Sequence, residues 1–439
     1  MRAIVAGGGP CPAATVNGIV MEMRVRASAT GGVPSANPAF APAMPVTACE
    51  LPLPGPAGTA VAGGQALRWQ AGLPARIAVV GDTGCRIKVP ARGGGDPIQD
   101  CADPAAWPWP DVAAAAARLA PDLVIHVGDY HYREYCEDAG RCAALQAAGT
   151  TVGYGWTGWE ADFFGPARPL LLAAPWVFVR GNHENCDRAG EGWMRFLSPE
   201  PYRACHDQRY KSPTRSVLAN NGTADAYRVD LGDALALVVA DNAGHEDYRP
   251  LSAAPSEMDL FRRALAELRR SPRPARQWLL SHRPVWYDLL RPESEPNAFQ
   301  ATLRDSPPPS LQLVFSGHQH AFRTLAFEPG ADATHYPAGR PGQVIVGGSG
   351  TQLESMDPDS PLYERDAGPG SREQRVPPER GFDGVRASSG LLLNRHGFLL
   401  LQREGRGWSG TVHDARGAVV TRCRLEDDGK ELACRFPAP

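Results

Sequence analysis

The chain is short of lysine, of charge imbalance and of long apolar runs. Lysine occurs only at positions 88, 211 and 430, and the other basic residues are arginine, a bias that reflects genome composition rather than function. The formal net charge is −3 and no Lys/Arg block stands out, so the concentrated basic face of a nucleic-acid-binding surface is missing. No apolar run approaches the roughly 20 residues of a membrane-spanning helix, and Met1 to Pro10 lacks the apolar centre of a signal peptide. None of the cysteines stands in a CxxC spacing, which disfavours a structural zinc site. Gly347-Gly348-Ser349-Gly350 lacks the Gly-Lys-Ser/Thr ending of a nucleotide phosphate loop, and reads as a tight turn near a cleft. No internal repeat is apparent.

What is present is enough apolar residue, 43% over 439 positions, to bury a large core. The ten cysteines fall as close neighbours: Cys11 and Cys49, Cys85 and Cys101, Cys136 and Cys142, Cys186 and Cys205, Cys423 and Cys434. Local disulfides are the expected reading, each contributing about 2 to 3 kcal/mol by restricting the unfolded chain. They favour an oxidising compartment, periplasmic or secreted, and with no visible signal that reading expects a trimmed or mis-started N-terminus.

Residues 1–73, rich in Gly, Ala, Pro, Ser and Thr, read as a loop-rich extension with a few strands. From Arg76 onward short apolar runs alternate with helical stretches. Strands are expected at 77–80, 122–127, 176–179, 234–240, 277–280, 311–315, 344–346, 391–393, 398–402 and 408–412, with helices at 111–120 (capped by Asp111), 160–173 and 256–270. The pattern predicts an α/β fold, a sandwich of two mixed β-sheets flanked by helices. The expected division is an extension over 1–73, a catalytic domain over 74–415 and a C-terminal hairpin or tail over 416–439 packed on it, with 422–430 a solvated hairpin face. The aromatics Tyr154, Trp156 and Trp159 of the insert at 133–165 are expected to pack it onto the body, a pocket wall being the other reading.

Five strands end in polar groups of metal-ligand type: Gly81-Asp82-Thr83-Gly84, Gly128-Asp129-Tyr130-His131-Tyr132, Gly181-Asn182-His183-Glu184, Ser281-His282 and Gly317-His318-Gln319-His320. Carboxylates after glycine at the carboxyl end of a buried strand face a cleft rather than a core. Tyr132 is near enough to Asp129 in a turn to share a metal with it. In the last block, residues two apart on extended backbone face one side about 7 Å apart, suiting one histidine for each of two metals about 3.5 to 4 Å apart. Asp241 reads as a sheet-end cap, His126 as core, and His131 and Glu184 as partners that orient ligands.

In this order the blocks resemble the calcineurin-like metallophosphoesterase superfamily, and more closely its purple acid phosphatase branch, over roughly 75–415. The general pattern has Asp-x-His in its first block where this chain has Asp82-Thr83-Gly84, and Tyr132 stands where the purple enzymes place a tyrosine ligand. The resemblance implies that Asp82, Asp129, Tyr132 and His320 hold one metal, and that Asp129, Asn182, His282 and His318 hold the other, with Asp129 bridging. It implies that His183 holds no metal and faces the substrate. The hard phenolate and carboxylate donors suit Fe(III), and the Asn/His/His set a divalent Zn, Mn or Fe ion. The expected function is hydrolysis of small phosphate monoesters by a metal-bound hydroxide that attacks phosphorus, with Asp129 and His183 in catalytic roles. A phosphodiesterase or nucleotidase on the same centre is the alternative, and a non-catalytic binding protein on this scaffold is less favoured because every ligand is present. Arg283-Pro284-Val285-Trp286-Tyr287 lacks the further histidines that plant enzymes use near substrate.

Overall fold

The computed structural model describes residues 1–32, 42–55, 57–70, 72–87, 98–134, 139–205, 226–245, 250–253, 255, 257–269, 276–286, 295–305, 307–308, 310–330, 332–353, 373–375, 381–382 and 385–435. Two sheets carry the body. The first runs, in spatial order, Trp176–Phe178, Leu123–His126, Arg76–Val80, Gly397–Glu404, Gly407–Asp414, Val419–Leu425 and Ala433–Cys434. Its first three strands are parallel and the rest antiparallel. The second runs Tyr227–Leu231, Leu235–Val239, Arg276–Leu280, Leu311–Ser316, Gly342–Val346, Phe322–Phe327, Val385–Leu393 and Glu373–Arg375, with Leu235–Val239 to Gly342–Val346 mutually parallel.

Alternation along the strands builds three layers of core. Ile77, Val79, Ile125 and Leu399 of the first sheet meet Leu237, Leu280, Phe315 and Val346 of the second in one buried cluster. The opposite faces, with Ala78, Val80 and Val124 on one side and Val238, Leu279 and Val314 on the other, pack against helices. A sheet buried on both faces reads as a continuous apolar run, which is why these strands were visible in the sequence.

Other elements depart from expectation. The alanine-rich helix spans Trp109–Arg118, so Pro110 and Asp111 lie in its first turn and Asp111 is no cap. The helix expected over 160–173 begins at Trp156 and passes through a π-helical stretch at Glu160–Phe164 before Gly165–Leu171. Strand Phe322–Phe327 and helix Ala298–Asp305 were not anticipated. The stretch 422–430 belongs to the hairpin expected, with Arg422, Arg424, Glu426 and Asp428 exposed, but its strand also has a buried face. Val419–Leu425 is a sheet strand with Thr421, Cys423 and Leu425 buried and Arg422 and Arg424 exposed, an alternation that the mixed charges obscured.

The described residues among the first 70 form seven strands in two antiparallel sheets, more regular than the loop-rich extension with a few strands expected. The strands are four to six residues long and rich in alanine, so their period-2 pattern is weak. A small core of Ala14, Val16, Cys49 and Leu51 sits within them. Arg26, buried, joins this region to the body: its Nε donates to Arg195 O at 2.9 Å and its Nη2 to Met194 O, Ser198 O and Glu200 O at 2.9, 3.0 and 2.6 Å, while Nη1 pairs with Glu50. Arg26→Ala leaves those carbonyls without a donor and is expected to lower stability by about 2 to 4 kcal/mol. A denaturant midpoint equal to wild type would show that this arginine does not fasten the extension.

Disulfides join Cys11 to Cys49, Cys85 to Cys101, Cys186 to Cys205 and Cys423 to Cys434. Cys136 of the expected Cys136–Cys142 pair falls outside the described residues. Such bonds are compatible with an extracellular or periplasmic location. Among the described residues no helix is long and apolar enough to cross a membrane.

Candidate metal centre

The polar turns gather where parallel strands of both sheets end. Asp82 follows Arg76–Val80, Asp129 follows Leu123–His126, Asn182 follows Trp176–Phe178, His282 follows Arg276–Leu280 and His318 follows Leu311–Ser316. At three of these turns a non-glycine residue is left-handed, with φ of 53° at Asp82, 59° at Asp129 and 69° at His318. Each such residue costs of order 1 kcal/mol, a strain set against the close convergence of side chains. Glycines make the approach possible: a Cβ on Gly181 would lie 2.1 Å from Asp129 Oδ1, and one on Gly317 would lie 2.4 Å from Asp82 Oδ2.

Tyr132 Oη is the hub of one group. It donates to Asp129 Oδ2 at 2.8 Å, lies 3.2 Å from Asp82 Oδ1 and 3.0 Å from His320 Nε2. A second group shares Asp129: a ligand atom of each of Asp129, His282 and His318 lies within 4.8 Å of the others, and Asn182 Oδ1 stands 3.0 Å from His282 Nε2. His282 Nδ1 donates to Val127 O at 2.9 Å, which fixes the tautomer and turns Nε2 towards Asp129 Oδ2, 3.2 Å away.

Without a cation this arrangement is electrostatically uncomfortable. Burial and then the Asp129 charge push the Asp82 carboxyl well above the usual range. Asp129, which burial alone would raise, is held well below it by His282 and His183. Burial, then Asp129 and Asp82, drive the Tyr132 phenol up, and burial pushes His320 down to about 3. Buried oxygen donors that repel one another beside imidazole nitrogens fit positively charged metal ions.

Buried carboxylates hold the donors in place. Glu184 accepts from the backbone N–H of Asp129, Tyr130, His131 and Gly181 at 3.1, 2.9, 3.2 and 3.0 Å, tying the second and third turns together. Burial, then Asp129, raises it to about 8. Asp162, on the π-helical stretch, accepts from the N–H of Tyr132 and Arg133 and from Arg133 Nε, and so sets the Tyr132 backbone.

His183 lies beside rather than inside the donor groups. Its Nε2 is 3.8 Å from Asp129 Oδ2, its Nδ1 is 2.5 Å from Glu134 Oε1, and its ring lies tilted against Tyr132 with centroids 3.8 Å apart. Arg188 pairs with the same Glu134 carboxylate and lies against the His183 ring.

His318 and His320 do not alternate along a strand: the strand ends at Ser316, and a tight turn with Gln319 N bonded to Gly317 O and Ala321 N to Gln319 O sends the two rings to opposite groups. Asp241 pairs with Arg180 at 2.7 Å and accepts from Ala243 N. His126 is core, stacked on Tyr130 and accepting from Gly128 N, and His131 reaches Gly153 O. The glycine turn at 347–350 packs on the Asp82 turn, with Ser349 N bonded to Gly81 O and Thr351 N to Asp82 O. Trp159 is buried and Trp156 packs on Phe164 and Phe196, so these aromatics pack the insert. Glu134, Asp162, Arg188 and Asn242 were missed. They carry no periodic signal: Glu134 and Arg188 show themselves through their pairing with His183, Asp162 through the N–H groups of Tyr132 and Arg133, and Asn242 through the Arg283 backbone.

The calcineurin-like phosphoesterase family model matches residues 75–322. No curated protein sequence matches the chain. Similar solved structures include a purple acid phosphatase, PPD1, from yellow lupin (Lupinus luteus) seeds, 13% identical, covering 95% of this chain and 72% of that one with a TM-score of 0.52. A structure of PhoD is 11% identical over 90% and 79% of the two chains with a TM-score of 0.48. A dimetal phosphatase from Danio rerio is 12% identical over 80% and 99%, with a TM-score of 0.40. At such identities the lupin structure speaks for the fold.

Proposed function

The chain belongs to the calcineurin-like phosphoesterase family of metal-dependent enzymes, and from that premise we propose that it is a binuclear phosphomonoesterase of the purple acid phosphatase branch. The observation that carries the reading is the sharing of Asp129 between the Tyr132-centred oxygen group and the His282/His318 group. Asp82, Asp129, Tyr132 and His320 would hold one ion, and Asp129, Asn182, His282 and His318 the other. Phenolate and carboxylate oxygens favour Fe(III) in the first position, and the Asn/His/His set a Zn, Mn or Fe(II) ion in the second. When bound, such a pair supplies concentrated positive charge for phosphate oxygens and a water of lowered pKa.

The chain's own residues do the rest. Glu184 and the glycines hold the two turns at fixed separation, so the donors need no rearrangement. Glu134 accepts from His183 Nδ1, and Nε2, 3.8 Å from Asp129 Oδ2 and 3.0 Å from Arg188 Nη2, is the atom that would hydrogen-bond the phosphate or protonate the departing alkoxide. Arg188 stabilises the Glu134 charge in that pairing. The disulfides support a periplasmic or secreted site of action. The division proposed is an extension at 1–73, a catalytic domain at 74–415 and a tail at 416–439.

The test is a visible absorption spectrum with elemental analysis of protein purified from an oxidising compartment. Iron with a visible charge-transfer band that disappears in Tyr132→Phe is the expected result. Colourless protein holding two Mn or Zn ions would keep the hydrolase and remove Tyr132 as an iron ligand, and protein that stays metal-free after supplementation would refute the reading.

A further inference from the structure

Two buried carboxylates brace the donor turns, each at a different junction. Glu184 ties the second turn to the third, whereas Asp162 ties the second to the first. Asp162 Oδ2 accepts from Tyr132 N at 2.7 Å and Arg133 N at 2.9 Å, and its Oδ1 accepts from Cys85 N at 3.1 Å and Arg133 Nε at 2.6 Å. Cys85 follows the Asp82-Thr83-Gly84 turn directly, and Gly84 permits the approach: a Cβ there would lie 2.6 Å from Tyr132 N and 2.9 Å from Asp162 Oδ2. Arg133 adds a second tie. Its guanidinium lies 5.2 Å from the centre of the Trp107 ring, and Trp107 Nε1 donates to Thr83 O at 2.9 Å. These contacts bridge the turn that carries Asp82 and the turn that carries Tyr132, whose Oδ1 and Oη meet 3.2 Å apart. The carboxylate rides on the π-helical stretch Glu160–Phe164, and single-turn π insertions recur at functional sites.

We propose that Asp162 is a positioning residue that fixes Tyr132 against Asp82 and so sets the affinity of the ion site formed by Asp82, Asp129, Tyr132 and His320. This rests on the binuclear reading above and assigns what holds one of its two donor groups in register. Three backbone N–H groups and one guanidinium converge on a single carboxylate, which has lone pairs for all four. An amide of the same shape cannot replace it. Whichever way an asparagine amide is turned, its NH2 faces two donors: Tyr132 N and Arg133 N in one orientation, Cys85 N and Arg133 Nε in the other. One turn or the other then loses its anchor, and a buried N–H left without a partner costs about 1 to 3 kcal/mol, so the chain shifts there. The Tyr132 phenol, set among Asp82, Asp129 and His320 within 3.2 Å, moves with its backbone. The insert at 133–165 thereby belongs to the metal centre as well as to the packing of the body.

The experiment compares wild type, Asp162→Asn and Trp156→Ala. Trp156 packs on Phe164 and Phe196 in the same insert, so its variant controls for loosening of that segment. Chelator competition reads the affinity of each ion, the visible spectrum reads the tyrosinate band per iron, and crystal structures of the metal-free proteins read the place of Tyr132 Oη. In Asp162→Asn one ion should bind about 10- to 100-fold more weakly, the usual loss when a group that orients a ligand is removed, and the other should change by less than about threefold. The band per iron should shift and Tyr132 Oη should stand away from Asp129 Oδ2. Trp156→Ala should match wild type in all three readouts. Equal weakening of both ions, wild-type behaviour in folded Asp162→Asn, or the same changes in Trp156→Ala would overturn the proposal. Arg133→Met, which keeps the three backbone bonds, should weaken the same ion by a smaller factor and carries the test if Asp162→Asn does not fold; no selective weakening there would overturn the proposal. Colourless wild type holding two Mn or Zn ions would remove the iron assignment and uphold the proposal if one ion is still selectively weakened. Wild type that binds no metal would refute the reading on which this rests; Tyr132 displaced in metal-free Asp162→Asn would still uphold the positioning role, and Tyr132 in its wild-type place would overturn it.

Discussion

Asp129→Ala is expected to lower phosphate-ester hydrolysis by at least about 10³-fold and to remove metal along with it. Among the described residues no other belongs to both donor groups. Its Oδ2 meets Tyr132 Oη at 2.8 Å and His282 Nε2 at 3.2 Å, and its Oδ1 accepts the His183 N–H at 2.9 Å. One substitution therefore loosens both proposed ions and the backbone of the residue assigned to the leaving group. The effects of parts that act as a unit do not add, so a second removal, such as His318→Ala, should cost little more. Alanine at this position also meets a backbone φ of 59°, where an L-residue without a short polar side chain is strained. Asp129→Asn separates the two effects, because asparagine tolerates the left-handed region and keeps the shape while losing the charge. If Asn restores the fold but not the metal content or the rate, the carboxylate charge is what the centre requires. Full activity in either variant would place the chemistry away from Asp129.

The sheet strands and the order of the polar turns were legible because two rules coincide. A strand buried on both faces is a short apolar run, and ligand-bearing groups sit at carboxyl ends of parallel strands. Gly128-Asp129 and Gly317-His318 announce themselves by glycine before a charged or metal-binding residue, and the structure gives the reason in the left-handed backbone and the close approach at Gly317. The reach of His318 and His320 was expected from strand periodicity, yet the chain turns at Gly317, and a turn follows hydrogen bonding rather than a two-residue period. Asp162 and Glu134 were invisible because their importance lies in which distant N–H or ring they meet. The strands before Gln70 were faint because alanine and glycine make poor markers of inside and outside.

The metal-free protein should be most stable near pH 6.5 and should lose stability on either side, whereas the loaded protein should lose little on the alkaline side. Glu184, raised from 4.5 to about 8 by burial and by Asp129, keeps its proton in the folded chain where the unfolded chain has released it. Its stabilising contribution is present at low pH and is lost as pH rises through that window, at up to roughly 1.4 kcal/mol per unit. Asp82, raised well above its ordinary value by burial and Asp129, acts in the same direction. Histidines act in the opposite one: burial lowers His131 to about 4 and His320 to about 3, and lowers His126 well below 6.5. These rings stay neutral when folded and protonate when unfolded, so stability falls as pH drops below about 6.5. Above that pH the unfolded histidines are neutral and only the acids contribute, which gives the alkaline limb. Cations between Asp82 and Asp129 would relieve that repulsion and favour the ionised acids. Thermal melts of chelator-treated and metal-loaded protein from pH 5 to 9 measure both limbs. An alkaline limb of the same slope in both samples would mean that the bound ions do not sit where Asp82, Asp129 and Tyr132 converge.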